Sequence, residues 1–194
     1  MKKTFVIVLF VITSTFTCFC EEFNTSIFVK NSSDSTIMDY VHNNRELLSV
    51  ACGEYRETFL MAAVSQSRYE LTKTLLEKGA DQKIQSTGGG TPLLHAAEVG
   101  NYKIVKLLLG FGANPTLRNN GHLLPLTGVL FALNPVIPEY FENAIKVIEL
   151  LIPVTILEDD DFDQMERWIS VEKDPNLKVE KTKLLELIKA RYRP

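Results

Sequence analysis

A 33-residue spacing runs through the middle of this chain and restricts it to architectures made by stacking one small unit. The sharpest copy reads Thr91-Pro-Leu-Leu-His-Ala-Ala, followed by Gly100-Asn-Tyr-Lys-Ile-Val-Lys-Leu-Leu-Leu and then Gly112-Ala-Asn. Thr91 can cap a first helix, Pro92 suits that helix's first turn, and Gly100 ends it before a second helix begins. In the second helix Ile104, Val105, Leu108 and Leu109 form a one-sided apolar stripe, and Gly112 supplies the left-handed residue that closes it. A pair of this size cannot bury its own stripe, so it needs neighbours of the same kind.

The neighbours are present. One repeat earlier, Thr91 falls on Thr58, Leu93 on Leu60, Ala96 on Ala63, Tyr102 on Tyr69, and Gly112-Ala-Asn on Gly79-Ala-Asp. One repeat later, Pro92 falls on Pro125 and Leu93 on Leu126; an insertion at 134–143 then delays the stripe, which resumes as Val147, Ile148, Leu151 and Ile152. The units therefore span about 55–87, 88–120 and 121–157. Helical material at 36–54 is expected to cap them at one end and a helical pair at 158–194 at the other, within one domain over 36–194, because the end units of a solenoid must turn a face to water.

This pattern resembles the ankyrin-repeat family, whose unit carries the T-P-L-H-x-A-A signature and a closing G-A-D/N. The resemblance covers Thr58 to Ile152 and is sharpest in the middle unit. It implies an all-α solenoid of stacked helix-turn-helix units with degenerate caps. The chain departs from the family at several positions: Phe59 and Met61 stand in for proline and histidine in the first unit, and Leu124 and Thr127 for threonine and histidine in the third. In the middle unit Leu94 takes the usual histidine position, with His95 beside it, so the family's histidine bonding between turns is not expected.

The amino-terminal segment is different in kind. Lys2 and Lys3 precede an apolar run from Phe5 to Ile12 and then small polar residues, the layout of a secretory signal peptide and too short a run to span a bilayer. A signal is expected over 1–20, with Thr15-x-Thr17 and Cys18-x-Cys20 as competing cut sites, and a lipid anchor on Cys18 or Cys20 is the other reading of a cysteine placed there. Residues 21–35, rich in Asn, Ser and Thr, read as a flexible spacer. Losing Lys2 and Lys3 takes the formal net charge from −3 to −5, an acidic balance that argues against a nucleic-acid footprint. A cut after Cys20 leaves Cys52 as the last cysteine, expected to be a packed small residue outside any disulfide.

In the insertion, Pro135 and Pro138 are expected to keep the segment from lengthening either helix, and Val136, Ile137, Tyr140 and Phe141 either fold back over the last helices or form a contact surface of their own. Leu184, Leu185, Leu187 and Ile188 lie among Lys178, Lys181, Lys183, Lys189, Arg191 and Arg193, which suggests a closing helix with a basic, water-facing side.

Catalytic motifs are lacking. Asp159, Asp161 and Asp163 open like a calcium loop, but Gln164 and Ser170 stand where glycine and glutamate are needed, so a solvated acidic helix start is expected. Gly88-Gly-Gly is followed by no Lys-Ser/Thr pair and reads as a tight turn before Thr91. His42, His95 and His122 lack zinc spacing. No cofactor, metal or enzymatic activity is expected, although an enzyme site joining Tyr140 to the acidic segment remains an alternative. The family resemblance implies a protein-binding module whose concave face is made of projecting fingers and inner helices. Carried over to this sequence, that face comprises Lys83, Gln85, Ser86 and Thr87, then Thr116, Arg118, Asn119, Asn120 and His122, with His95 and Glu98 from the central inner helix. The expected protein is monomeric, without a membrane span once processed, exported to the periplasm, the envelope or the exterior, and binds a protein partner there. A host-directed secreted effector is an alternative of the same design.

Overall fold

A computed structural model describes residues 23–132 and 138–192. Ten α-helices run through them: α1 (Thr25–Asn31), α2 (Asp34–Asn43), α3 (Phe59–Ser65), α4 (Tyr69–Glu77), α5 (Pro92–Glu98), α6 (Tyr102–Gly110), α7 (Pro125–Ala132), α8 (Pro138–Leu151), α9 (Asp159–Ser170) and α10 (Pro175–Tyr192). Short inner helices alternate with longer outer ones. α3, α5 and α7 stack side by side, while α4, α6 and α8 form the second layer.

The helices begin and end where local chemistry allows. The Thr58 hydroxyl accepts from the Met61 amide at 3.1 Å and that of Thr91 from the Leu94 amide at 3.2 Å, capping α3 and α5 one repeat apart. In the third unit Leu124 replaces the capping threonine, and Thr127, three residues on, takes over: its hydroxyl accepts from the Leu124 amide at 2.9 Å. Left-handed residues recur with the same spacing: Arg56, Gly89 and His122 in the fingers, Ser67 and Gly100 between paired helices, and Gly79 and Gly112 after the outer helices. Glycine holds the left-handed conformation without strain, yet three of these seven positions carry a side chain.

The core is a continuous seam. Leu71, Leu75 and Leu76 of α4, Ile104, Val105 and Leu108 of α6, and Val147, Ile148 and Leu151 of α8 are buried against Ala62, Ala63, Ala96 and Ala97 of the inner helices, whose small side chains let the layers approach.

Five sequence expectations are corrected. Residues 21–35 are not a spacer throughout: α1 occupies 25–31, capped by Asn24, whose side chain accepts from the Ile27 amide at 2.8 Å. Val29 is fully buried, and Phe23, Phe28, Tyr40 and Phe59 form a cluster with ring centroids 5.1–6.1 Å apart. The polar composition hid a helix anchored by few apolar residues. Together, α1 and α2 make a helix pair ahead of the first finger, where only a cap at 36–54 was expected. Cys52 is buried as expected, but it is disulfide-bonded. Residues 138–143 of the insertion do lengthen an outer helix, since Pro138 sits at the first position of α8, where its missing amide proton costs nothing. Finally, the helix start at Asp159 is not wholly solvated, because Asp161 is 3% exposed, and Lys181 of the basic closing helix is also buried, bonded to Glu172 at 2.8 Å. The signal peptide at 1–20, the cysteines at 18 and 20, and Pro135, Val136 and Ile137 lie outside the described residues.

Candidate protein-binding surface

The fingers are zipped together in the repeat's own register. The Thr87 amide donates to the Tyr55 carbonyl at 2.9 Å and its hydroxyl to the Glu54 carbonyl at 3.0 Å. One repeat on, the Asn120 amide donates to the Gly88 carbonyl at 3.0 Å and its side chain to the Thr87 carbonyl at 2.9 Å. Gln85 bonds the Gly89 carbonyl within its own finger at 2.8 Å and the Arg118 carbonyl of the next finger at 3.1 Å. At the base of each turn one side chain gathers amide protons: the Ser86 hydroxyl accepts from Gly90 at 3.1 Å, and Asn119 accepts from Gly121 at 2.9 Å and Leu123 at 2.8 Å. Gly89 is packed so closely that an added Cβ would come within 2.7 Å of the Asn120 amide nitrogen. Residues 88–90 thus form the tight turn expected of them.

Gln85, Ser86, Thr87, Asn119 and Asn120 therefore build and align the fingers. Lys83, Thr116 and His122 are exposed; Thr116 is ordered by Asn114, which accepts from its amide at 2.9 Å and its hydroxyl at 2.8 Å. Arg118 is held elsewhere. It grips Asp161 with both arms, at 2.6 and 3.0 Å, while also donating to the His122 carbonyl at 3.1 Å. Burial pushes the Asp161 carboxyl up, but the Arg118 bond, the Glu158 amide and the Arg118 charge outweigh it and hold the group below the ordinary carboxylate range. That pair ties α9 to the last finger.

The inner helices supply the groove floor. His95 Nδ1 lies 3.5 Å from a Glu98 carboxylate oxygen, and its Nε2 is buried beside Gly90, where a Cβ would approach it to 2.8 Å. On α7, Gly128 makes room for Leu94, whose Cδ1 would lie 2.8 Å from a Cβ there. Ser65, Glu98 and Phe131 occupy equivalent places one repeat apart, and Phe131 is 57% exposed, edge-on to Trp168 of α9 with ring centroids 5.7 Å apart. At the other end of the fingers Tyr55 is 62% exposed. The sequence reading missed Tyr55 and Phe131; counting one repeat back from Gly88 and one forward from Glu98 would have found both.

Residues 27–119 match the family model for ankyrin repeats in three copies. The chain is an ankyrin-repeat protein. The match starts two residues into α1 and stops before the unit at 121–157, where Leu124 and the insertion depart from the family pattern, but α7 and α8 continue the stack there. No curated protein matches the chain. Ankyrin repeats are in general protein-interaction modules, and the family is typically non-enzymatic.

Beside the ankyrin groove, Tyr140 folds back as packing: its hydroxyl donates to the Glu98 carbonyl at the end of α5, and its ring lies 3.0 Å from where a Cβ on Gly100 would be. Burial first, and then the Glu98 charge, push the Tyr140 hydroxyl up to about 12. Phe141 also packs against the core. Tyr140 thus contacts the α5 end of the middle repeat while Asp161 contacts a finger, and neither lines the surface grooves of about 490 and 450 Å³. Among the described residues no group of His, Cys, Asp and Glu could hold a metal, and no helix is long and apolar enough to cross a membrane.

Proposed function

We propose that this is an exported, monomeric ankyrin-repeat protein that binds another protein along the groove of its fingers and inner helices. The observation that carries this reading is the pair of exposed aromatic side chains, Tyr55 and Phe131, at opposite ends of a rigid, hydrogen-bonded surface with the polar His95 and Glu98 between them. Exposed aromatic side chains are among the residue types that dominate protein-interface energetics, and here they offer two anchor points on one face. Lys83, Thr116 and His122 then form the exposed rim, and Gln85, Ser86, Thr87, Arg118, Asn119 and Asn120 support it from within.

The disulfide at Cys52 supports the export part of the reading, because such bonds persist in oxidising compartments. It needs a second cysteine, and the only others in the sequence stand at 18 and 20. Export processing after Thr17, rather than after Cys20, keeps both.

The test has two arms. Crosslinking and capture from envelope and extracellular fractions compares the processed chain with a variant carrying Tyr55→Ala, Glu98→Lys and Phe131→Ala, with circular dichroism confirming that both fold. A partner held by the parent and lost by the variant is the expected result, and equal capture by both moves the contact away from the groove. Intact mass under non-reducing conditions should give a mature chain beginning at Cys18 with Cys52 oxidised. A free Cys52 thiol in the isolated protein would remove this support for export.

A further inference from the structure

The outer-helix face carries a second surface that the groove of fingers does not use. Tyr69 and Tyr102 open α4 and α6 one repeat apart, and an open groove of about 490 Å³ runs between these helices. Leu107, Phe111 and the two tyrosines make it largely apolar, with Phe111 44% and Tyr69 37% exposed. The remaining charged lining is Lys103 and Lys106, both exposed, and among the described residues neither takes part in an ion pair. Among the described side chains, the carboxylates on the adjoining helices are Glu70 and Glu77 of α4 and Glu142 and Glu149 of α8. None of these lines the groove; Glu77 leans toward Lys73 at 3.9 Å and Glu149 toward Arg191 at 3.7 Å. A third cation, Lys146, lies 5.1 Å from the centre of the Tyr102 ring, adding positive charge on the α8 side.

We propose that this groove docks an acidic peptide segment of a partner protein. Aliphatic or aromatic side chains of the segment would lie on Tyr69, Leu107 and Phe111, with its carboxylates on Lys103 and Lys106. The argument is charge complementarity: the chain is acidic overall, with a formal net charge of −3, yet among the described residues the charged side chains that line this apolar groove are both cations outside any ion pair. An anion seated there meets attraction without a competing carboxylate in the lining, and the apolar floor gives the contact an energy that salt does not screen. The surface is independent of the finger groove, so one chain can hold two partners or two parts of one.

Fluorescence anisotropy with the folded chain and a short labelled peptide of repeating Glu-Asp-Leu-Phe tests this directly. Lys103→Glu combined with Lys106→Glu should weaken binding by about tenfold or more, the scale of two exposed charge contacts. Tyr69→Ala with Phe111→Ala should weaken it similarly, and added salt should weaken the parent's binding but not abolish it. The Lys-for-acid version of the peptide should not bind, and Val171→Ala, an exposed position after α9, should leave binding unchanged. The proposal is overturned if the acidic peptide shows no saturable binding, if both peptides bind alike, or if the lysine variants bind as the parent does. Concentration-dependent self-association abolished by Lys103→Glu would assign the groove to a second copy's acidic residues at 158–163, which also overturns it.

Discussion

The two ends of this solenoid solve one problem with different chemistry. A stack of ankyrin units leaves an open apolar face at each end, and each must be covered. At the amino-terminal end the cover is mainly aromatic, with a partly exposed Arg68–Asp34 pair at its edge: Phe23, Phe28 and Tyr40 close around Phe59 on the first inner helix, with Val29 and Ile37 fully buried beneath. At the carboxy-terminal end the cover is partly ionic: Arg118 of the last finger holds Asp161 at the start of α9, and Lys181 holds Glu172 within the closing pair. Apolar contact is indifferent to proton concentration, whereas a carboxylate clamp depends on it. The ends should therefore separate under conditions that act on charge.

The largest way to break the comparison is Phe59→Ala. This side chain is 1% exposed and central to the aromatic cluster, so its loss should cost about 3–5 kcal/mol and release the first helix pair, as urea titration would show. If Asp159–Ser170 loosened equally in hydrogen exchange, the ends would not be independent. Next is Asp161→Asn, which leaves Arg118 facing an uncharged amide; a loss of about 2–3 kcal/mol is expected, with faster exchange in α9 and unchanged protection in α1 to α4.

Acid sharpens the same contrast. The Asp161 carboxyl lies below its ordinary value in the folded chain, so the unfolded chain takes up the proton first as pH falls. The pair's contribution is complete above about pH 4 and is lost progressively below it. Stability in the acid range should fall more steeply for the parent than for Asp161→Asn, and an equal slope would show that other carboxylates govern the acid limb. At the other end Tyr40 is held above the ordinary tyrosine range, by burial and then by the Glu46 charge, so its contribution is present through neutral pH and fades only in alkali.

The smallest effects concern the left-handed positions. Gly100→Ala adds a Cβ at φ +72° and 3.0 Å from the Tyr140 ring and should cost about 1–2 kcal/mol. His122→Gly relieves strain at φ +62° and should raise stability by about 0.5 kcal/mol in thermal melts; a loss would mean that the His122 side chain supports the finger.

Much of the fold was legible because a repeat states each instruction several times. Thr58 and Thr91 name their helix starts, Gly79 and Gly112 name the ends of outer helices, and the stripe at Ile104, Val105, Leu108 and Leu109 fixes which face of α6 turns inward, Ile104, Val105 and Leu108 being buried and Leu109 partly so. α1 was illegible because only Phe28 and Val29 within its polar run pack against the core. The candidate surface was legible as positions but not as roles. Asn120 and Thr87 have the side chains of an ordinary polar loop, and only their registry with the neighbouring finger shows that they bond its carbonyls.

Residue spacing alone therefore determined the all-α stack and the inward faces, since periodicity is a property that local sequence carries. Tertiary structure decided which polar residues are occupied and which stand free. Arg118 reads as a fingertip cation until Asp161, far along the chain, arrives to bind it, and Tyr140 reads as an insertion residue with two possible fates until Gly100 opens a space for its ring. Those outcomes depend on contacts between distant segments, and no local pattern in the chain encodes a distance of that kind.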